Sequence, residues 1–512
     1  MSRVELKDYK TWDKKPLLLF NDASQQLNYQ FVTTGNQIIN TTDLYFEPTG
    51  ASFSVKGGES KTLSLRLKAS NGGYFEQQYS LKGDGYTLDY KVNVVGLEQV
   101  IPININDIQL NWKSRLLNLE HSVETERRYS ALYYQYAGNE PTHLDEDKDN
   151  VSEAFLAPVD WISFKQQFFN ATLFSKGLLK GKIDASFQKE KTDYVKNYAA
   201  TLVLPYKSGV ANSYDLQWYF GPNKYSTLKA VSPNFENIIK LSPDNWAFSW
   251  IKYVSKWFII PTFNVLDKIG MSYGIIILLL TLLLKLLLTP LTWKAIKSGA
   301  YMKVLKPEID ALKEKYGEDQ QKIGTEQMKI YQKAGVSPFG GCLPMLLQMP
   351  ILMAMYYFFP TSIELRQQPF LWATDLSSYD AIITFKNAIP LFGDHLSLFT
   401  ILMTITSVIF AVYNQAQSGM SNSQPGMQYM PYIMPVMLMF MFNSFPAALT
   451  YYYLLQNVIS IAQQWAIQKF FIDEKALHKK IEENKVKPVK KSGWMKKLED
   501  LQKQAEQQRK GR

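Results

Sequence analysis

The sequence predicts a two-part chain: an N-terminal all-β sandwich domain followed by a membrane α-helical bundle of five spans with a helical hairpin between the first two. Three observations predict it. The apolar runs are confined to the second half, whereas the whole chain has a mean hydropathy of −0.19, too low for a membrane protein throughout. The first half alternates apolar and polar residues between Gly, Asn and Asp turn signals. Residues 271–293, MSYGIIILLLTLLLKLLLTPLTW, are apolar for about twenty residues, the length a helix needs to cross a hydrocarbon core of roughly 30 Å.

In order along the chain, residues 1–243 hold SFSVKGG, KTLSLRLKAS, YTLDYKVNVV, KIDASFQ and AATLVLPY, strand-like segments rich in β-branched and aromatic residues. An antiparallel sandwich is expected. His121, His143, His395 and His478 are scattered singly, and no Walker loop, GxSxG or HExxH occurs, so no enzyme, cofactor or metal site is expected. The single cysteine, Cys342, excludes an intrachain disulfide.

Residues 244–268 predict an amphipathic helix opened by Ser242-Pro243-Asp244, with Trp246, Trp250, Val254, Trp257 and Phe258 on one face. Three tryptophans just before a span suit a helix lying in the membrane interface; a core helix of the sandwich is the alternative.

The first span carries Lys285. A charge near the bilayer centre costs on the order of 2.5–3.5 kcal/mol, so such a residue faces a wet cavity or a partner unless it snorkels. Thr281, Lys285, Thr289 and Thr292 share one helical face, and the rest of the helix is leucine and isoleucine. Residues 294–338 then read as two polar helices separated at Gly317, with nine lysines against six acids.

Four further apolar segments, about 341–363, 396–417, 429–445 and 449–471, complete five spans. Their connecting loop 364–395 is acidic, and the tail from Asp473 carries thirteen Lys and Arg against seven acids. The positive-inside rule therefore places hairpin and tail in the cytoplasm and the sandwich outside. An external domain needs an export signal, and residues 1–21 hold no apolar h-region; either a leader is missing from this sequence or the domain is cytoplasmic, and the charge rule at hairpin and tail favours the missing leader.

The spans repeat the polar stripe of the first. Thr400, Thr404, Ser407, Ala411 and Asn414 share a face of the third, while Gln456, Ser460, Gln463 or Gln464, and Gln468 share one of the fifth; Gln348 interrupts the second. Such residues serve either as interhelical hydrogen-bond glue or as the lining of a hydrophilic groove. Lys285 favours the groove, because no Asp or Glu lies deep in any span to neutralise it. Prolines 344, 350, 360, 431, 435 and 446 kink the bundle, and no inverted repeat or acidic relay is evident, against a proton pump or a secondary transporter.

Four stretches resemble the YidC/Oxa/Alb family of membrane protein insertases: LLLKLLLTPLT (282–292), VSPFGGCLPMLLQMPILMAMYYFF (336–359), SIELRQQPFLWATDLS (362–377) and LTYYYLLQNVISIAQQ (449–464). WISFKQQFFNATLF (161–174) and YFGP (219–222) are weaker likenesses to the β-supersandwich of its Gram-negative members, whose first span has no counterpart in this sequence. The resemblance implies a groove open to cytoplasm and lipid that receives hydrophilic segments of nascent membrane proteins. It places Lys285 where the family has an intramembrane arginine, and Thr281 at its groove threonine; lysine keeps the charge but loses the bidentate fork. Expected groove residues are Lys285, Thr281, Thr289, Gln348, Thr404, Ser407, Gln456, Ser460 and Gln463. Implied partners are the Sec translocon, the ribosome and the signal-recognition machinery, with the basic tail on RNA or anionic lipid and no DNA partner. The rival readings are a solute transporter or channel fed by an external ligand-binding sandwich, and a plain structural anchor.

Overall fold

The computed structural model describes residues 1–145, 148, 150–187, 194–317, 319–336, 343–390, 392–418 and 429–486. Cys342, the start of the second apolar segment, the uncharged loop before the fourth and the basic tail beyond Val486 lie outside the described residues. The chain divides into two compact units. The first comprises Met1–Lys252 with Tyr356–Tyr379 and Ser444–Pro446; the second holds Tyr253–Met355, Asp380–Asn443 and Ala447–Arg512.

The strands of the first unit are β1 (Val4–Lys10), β2 (Pro16–Phe20), β3 (Gln25–Val32), β4 (Ile38–Asn40), β5 (Glu47–Pro48), β6 (Gly57–Lys68), β7 (Tyr74–Gly83), β8 (Thr87–Val95), β9 (Asp107–Leu117), β10 (Ala131–Tyr136), β11 (Thr142–His143), β12 (Asn150–Ala154), β13 (Val159–Lys165), β14 (Phe169–Ser186), β15 (Tyr194–Pro205) and β16 (Asn212–Pro222). Helices α1 (Val123–Arg128) and α2 (Tyr225–Val231) flank them. Of the five segments read as strands, SFSVKGG enters one only at Gly57, because among the described residues no strand pairs with Ser52–Lys56.

Strands β4-β3-β9-β15-β14-β16-β8-β7-β6-β5 run in one antiparallel order, and β14 joins its two halves. Residues 169–174 of β14 pair with β13 and β16, whereas residues 180–186 pair with β15 and β12. Between them Lys176 and Gly177 take φ of 53° and 75°, bending the strand from one layer to the other. At Gly181 a Cβ would sit 2.0 Å from the Thr201 carbonyl oxygen, so only glycine lets β15 approach there.

Alternation turns Ile108, Leu110, Trp112, Ser114 and Leu116 of β9 inward while Lys113 and Arg115 stay exposed. Trp112 stacks on Phe164 with ring centroids 3.6 Å apart and meets Trp218 edge-on at 4.9 Å. Burial of such rings at about 25 cal/mol per Å² drives the fold without a disulfide.

The segment after the second apolar helix departs from the sequence reading. Residues 359–363, expected inside the second span, and the start of the following loop belong to the sandwich unit as a strap. Ile363 joins the sandwich core. Gln167 Nε2 donates to the Pro360 carbonyl at 2.8 Å, and Gln367 Nε2 donates to the carbonyls of Lys10 and Thr11, each at 3.0 Å. Arg366 is buried, its Nε donating to both carboxylate oxygens of Glu120 at 2.8 and 3.1 Å, with its guanidinium 5.1 Å from the Phe169 ring centroid.

In the second unit the helices are α3 (Ile251–Val254, which begins in the first unit), α4 (Ile260–Asp267), α5 (Tyr273–Val304), α6 (Lys306–Tyr316), α7 (Gln320–Ala334), α8 (Leu343–Phe358, ending in the first unit), α9 (Leu398–Ser418), α10 (Met430–Phe442), α11 (Ala447–Phe471) and α12 (Glu474–Val486), with the hairpin β17 (Ala381–Ile389) and β18 (Gly393–Ser397). A single π turn, Ser255–Ile259, joins α3 to α4. The amphipathic helix thus starts at Ile251 rather than Asp244: the Asp244 carboxylate is taken by His143 and Lys240 instead of capping. Those two partners hold its pKa down to about 2. Trp246 and Trp257 remain exposed.

Among the described residues α5 and α9 are long and apolar enough to cross a membrane. Helix α10 is apolar but thirteen residues long, about 20 Å. Helix α11 has the length, but amides at 456, 457, 463, 464 and 468 dilute its apolar character. The count of five spans therefore does not follow from the structure.

Helix α5 runs unbroken through Pro290 to Val304, beyond the expected end of the span near Trp293. The hairpin starts only at Lys306. Gly317 (φ 54°) ends α6, and Asp319 caps α7 by accepting from Lys322 N at 3.1 Å. The start of the basic tail is folded: α12 buries Leu477 and Ile481, and Ile481 clusters with Met302, Leu305, Ile309, Tyr331, Ala334 and Val336. Lys485 Nζ reaches Glu308 at 2.6 Å, and Asn484 Nδ2 donates to the Ala334 carbonyl at 3.1 Å.

Ile481→Ala should cost this small core about 2–4 kcal/mol. Lys485→Ala should cost under about 1 kcal/mol, because that pair is solvated. Limited proteolysis across residues 306–334 ranks the two; equal cleavage would show that packing does not hold α12 down.

Candidate functional site

Among the described residues, polar side chains of the apolar helices bond across to other helices in two separate seams. In the first, Lys285 on α5 is 3% exposed and its Nζ donates to Ser460 Oγ on α11 at 2.6 Å. Ser460 Oγ donates to the Gln456 carbonyl at 2.6 Å, and Gln456 Nε2 reaches Gln348 Oε1 on α8 at 3.2 Å. One turn along α5, Gln463 Nε2 donates to Thr289 Oγ1 at 2.8 Å, and Thr289 donates back to the Lys285 carbonyl at 2.8 Å. No carboxylate lies within ion-pair distance of Lys285 among the described residues.

The spacing explains the assembly. Residues 285 and 289 stack on one face of α5, and 456, 460 and 463 stack on one face of α11. The seam brings together Lys285, Thr289, Gln348, Gln456, Ser460 and Gln463 of the expected set. The Gln463 Oε1 atom is buried without a hydrogen bond.

Three expected residues fall elsewhere. Thr281 is fully buried and donates to its own helix at the Ile277 carbonyl, 2.6 Å away. Thr404 likewise bonds the Thr400 carbonyl at 2.8 Å. Ser407 belongs to the second seam, where it accepts from Asn457 Nδ2 at 2.7 Å; Gln464 and Gln468 continue that seam to Asn414 (2.7 Å) and Tyr413 (2.8 Å). Asn457 escaped the sequence reading. Its signal was a second amide stripe, 457, 464 and 468, offset from 456, 460 and 463 by about one residue, or 100°.

Where α9 begins, Asp380 caps it by accepting from Phe399 N at 2.8 Å, and Ser397 Oγ donates to the same carboxylate at 2.5 Å. His395 is buried with Nε2 2.8 Å from the Asn443 carbonyl oxygen. Asn443 Nδ2 in turn donates to the carbonyls of Phe392 and His395 at 2.8 and 2.7 Å. This cluster ties β18 to the end of α10 and carries no reactive geometry.

Comparison with known proteins agrees with this architecture. Residues 265–475 match the family described as 60Kd inner membrane protein, and residues 1–256 match the YidC periplasmic domain. The membrane protein insertase YidC of Parabacteroides distasonis is 38% identical over 511 residues, covering 98% of this chain and 79% of that protein. That of Bacteroides fragilis is 37% identical, covering 98% and 81%. A crystal structure of an active YidC insertase with its first transmembrane domain resolved aligns over 92% of this chain and 88% of its own at 18% identity, with a TM-score of 0.36 that adds no argument of its own. With a relative of this identity matched over nearly the whole chain, and both halves matched separately, the chain belongs to the YidC family of membrane protein insertases.

Proposed function

We propose that the protein inserts nascent membrane proteins into the inner membrane through a hydrophilic groove centred on Lys285. The observation that carries this reading is the buried Lys285, whose Nζ donates its hydrogen bond to a neutral hydroxyl, Ser460 Oγ, in a chain of amides and hydroxyls spanning α5, α8 and α11. A cation in hydrocarbon is costly unless water or an anionic guest shares the site. A translocating acidic tail supplies such an anion, and Coulomb attraction across low dielectric makes it effective.

The groove shortens the apolar path for that tail, and the client's own hydrophobic span then leaves sideways into lipid, where burial of apolar area provides the drive. No covalent bond forms or breaks. In this reading α5, α8, α9, α10 and α11 all span, kinked or short helices thinning the bilayer around them. The sandwich of residues 1–243 faces the periplasm, the stretch 244–268 lies in the interface, and residues 269–472 form the insertase core. The charge asymmetry supports a cytoplasmic hairpin and tail, where Lys-rich α6, α7 and residues 473–512 would meet the ribosome, the signal-recognition machinery and anionic lipid, while the core works alone or with the Sec translocon.

The test is insertion of a small membrane protein with an acidic translocated N-tail into vesicles carrying the unmodified protein, Lys285→Ala or Lys285→Arg. Arginine should sustain insertion and alanine should lower it about tenfold or more, equivalent to roughly 1.4 kcal/mol. Normal insertion by Lys285→Ala would remove the cation from the mechanism and leave the amide seam or the hairpin to carry it.

A further inference from the structure

The hairpin of β17 and β18 lies outside both polar seams, yet it is fastened to the apolar helices at two points. Strand β18 runs without a break into α9, Ser397 being followed by Leu398, and Asp380, immediately before β17, caps that same helix. The second fastening is the end of α10. There the Phe392 ring meets Phe440 edge-on at 4.6 Å, and Asn443 Oδ1 accepts from Ser397 N at 3.0 Å. Both ends of β18 are thus fixed where α9 begins and α10 stops. Helix α10 covers about 20 Å of a hydrocarbon core of roughly 30 Å, so the hairpin begins where this helix leaves off.

Strand β17 reads poorly as an edge standing in water. Six of its nine residues, AIITFKNAI, are apolar, and all nine are exposed except the half-buried Phe385, so this apolar surface is uncovered by the protein itself. Ile382, Ile383 and Ile389 are 45%, 48% and 40% exposed. Edges that face water are commonly guarded by several charges or a covering element, whereas β17 carries Lys386 alone. Alternation sets Ile383 and Phe385 on one face, and Ile382, Thr384 and Lys386 on the other.

The backbone fixes the depth at which such a strand can sit. Among the described residues β17 pairs with β18 alone, so its outer edge presents unpaired N–H and C=O groups. Hydrocarbon excludes an open edge of this kind, but water and phosphate in the headgroup layer satisfy it. Apolar side chains and an open edge are compatible at the boundary between the two.

We propose that the hairpin is a membrane-surface anchor, with β17 lying in the bilayer interface, Ile383 and Phe385 on the acyl chains roughly 5–10 Å deep, and Lys386 on headgroup phosphates. This rests on the reading above in which α9 and α10 span. Interfacial anchors set the tilt and rotation of a span, so this one holds α9 in the orientation that keeps Ser407 and Asn414 on α11. A second copy pairing with β17 would cover the open edge but leave the Ile383 face in water.

The experiment uses the full chain, a single copy per nanodisc, with Cys342→Ser and one new cysteine carrying the fluorophore NBD at Ile383→Cys, Lys386→Cys or Ile405→Cys. Ile405, 50% exposed on α9, reports whether that helix lies in lipid. Brominated lipids should quench the labels at 383 and 405, and aqueous iodide should quench the label at 386 while sparing the other two. Iodide quenching at 383 with lipid quenching at 405 overturns the anchor and leaves the spanning reading standing. Quenching at 383 by iodide in single-copy discs that disappears in crowded vesicles assigns the face to a second copy, which also overturns the proposal. A label at 405 untouched by brominated lipid would sink the spanning reading and the anchor with it.

Discussion

Arg366→Ala is expected to destabilise the sandwich unit by about 3–5 kcal/mol at pH 8, because it leaves Glu120 buried without its cation. The Arg366 and Glu120 side chains are only 4% and 9% exposed, so water cannot take over. Glu126 makes the neighbourhood more demanding. Its Oε2 accepts from the backbone N–H of Leu119 at 3.1 Å and of Glu120 at 3.3 Å, and its Oε1 accepts from Gln166 Nε2 at 3.1 Å. Two carboxyls thus share one guanidinium. Burial pushes Glu120 up to about 7 although Arg366 pulls it down, and burial together with the nearby Glu120 raises Glu126 as well.

The sign of the pH dependence follows. A carboxyl whose folded pKa exceeds its unfolded value contributes stability that is fully present below about 4.5 and is lost as pH rises through about 7. The thermal midpoint of the unmodified protein should therefore fall between pH 5 and pH 8. Arg366→Ala should steepen that fall, costing least at pH 5, where Glu120 carries a proton, and Glu120→Gln should flatten it. Tryptophan fluorescence melts of the detergent-solubilised protein at the two pH values decide the matter, with Lys229→Ala, on the exposed side of α2, as a control. Equal losses at both pH values would mean that packing of the strap, not charge, is what Arg366 supplies.

The second large effect is expected at Trp112. Trp112→Ala should cost about 3–5 kcal/mol, since the ring is fully buried between Phe164 and Trp218 and the rigid layers around it can collapse only in part. Trp112→Phe should cost much less, about 1.5 kcal/mol or under. The indole Nε1 is buried without a hydrogen-bond partner, so phenylalanine removes an unsatisfied donor while keeping most of the stacking. Chemical denaturation with an unchanged slope reports the difference; a phenylalanine variant as unstable as alanine would show that ring volume dominates and the orphaned N–H counts for nothing.

Much of this protein was legible in the residues themselves because local rules govern it. Period-two alternation in KTLSLRLKAS and AATLVLPY determined strands; Ala200, Leu202 and Leu204 of the second are core, whereas Leu63, Leu65 and Leu67 of the first are half-buried. The run of leucines around Lys285 determined a helix of membrane length, Gly317 and Asp319 determined the hairpin turn, and helical spacing placed 285 with 289 and 456 with 460 and 463. Periodicity says which residues share a face, but not what that face meets. Only the tertiary structure decided that Thr281 and Thr404 turn back on their own helices, that Ser407 joins Asn457 in a second seam, and that the first turns of the basic tail fold onto the hairpin through Ile481. The strap is the clearest case. Arg366 and Glu120 are 246 residues apart, and neither has a distinctive local pattern. Their pairing depends on the sandwich core accepting Ile363, a long-range packing outcome that no window of sequence contains.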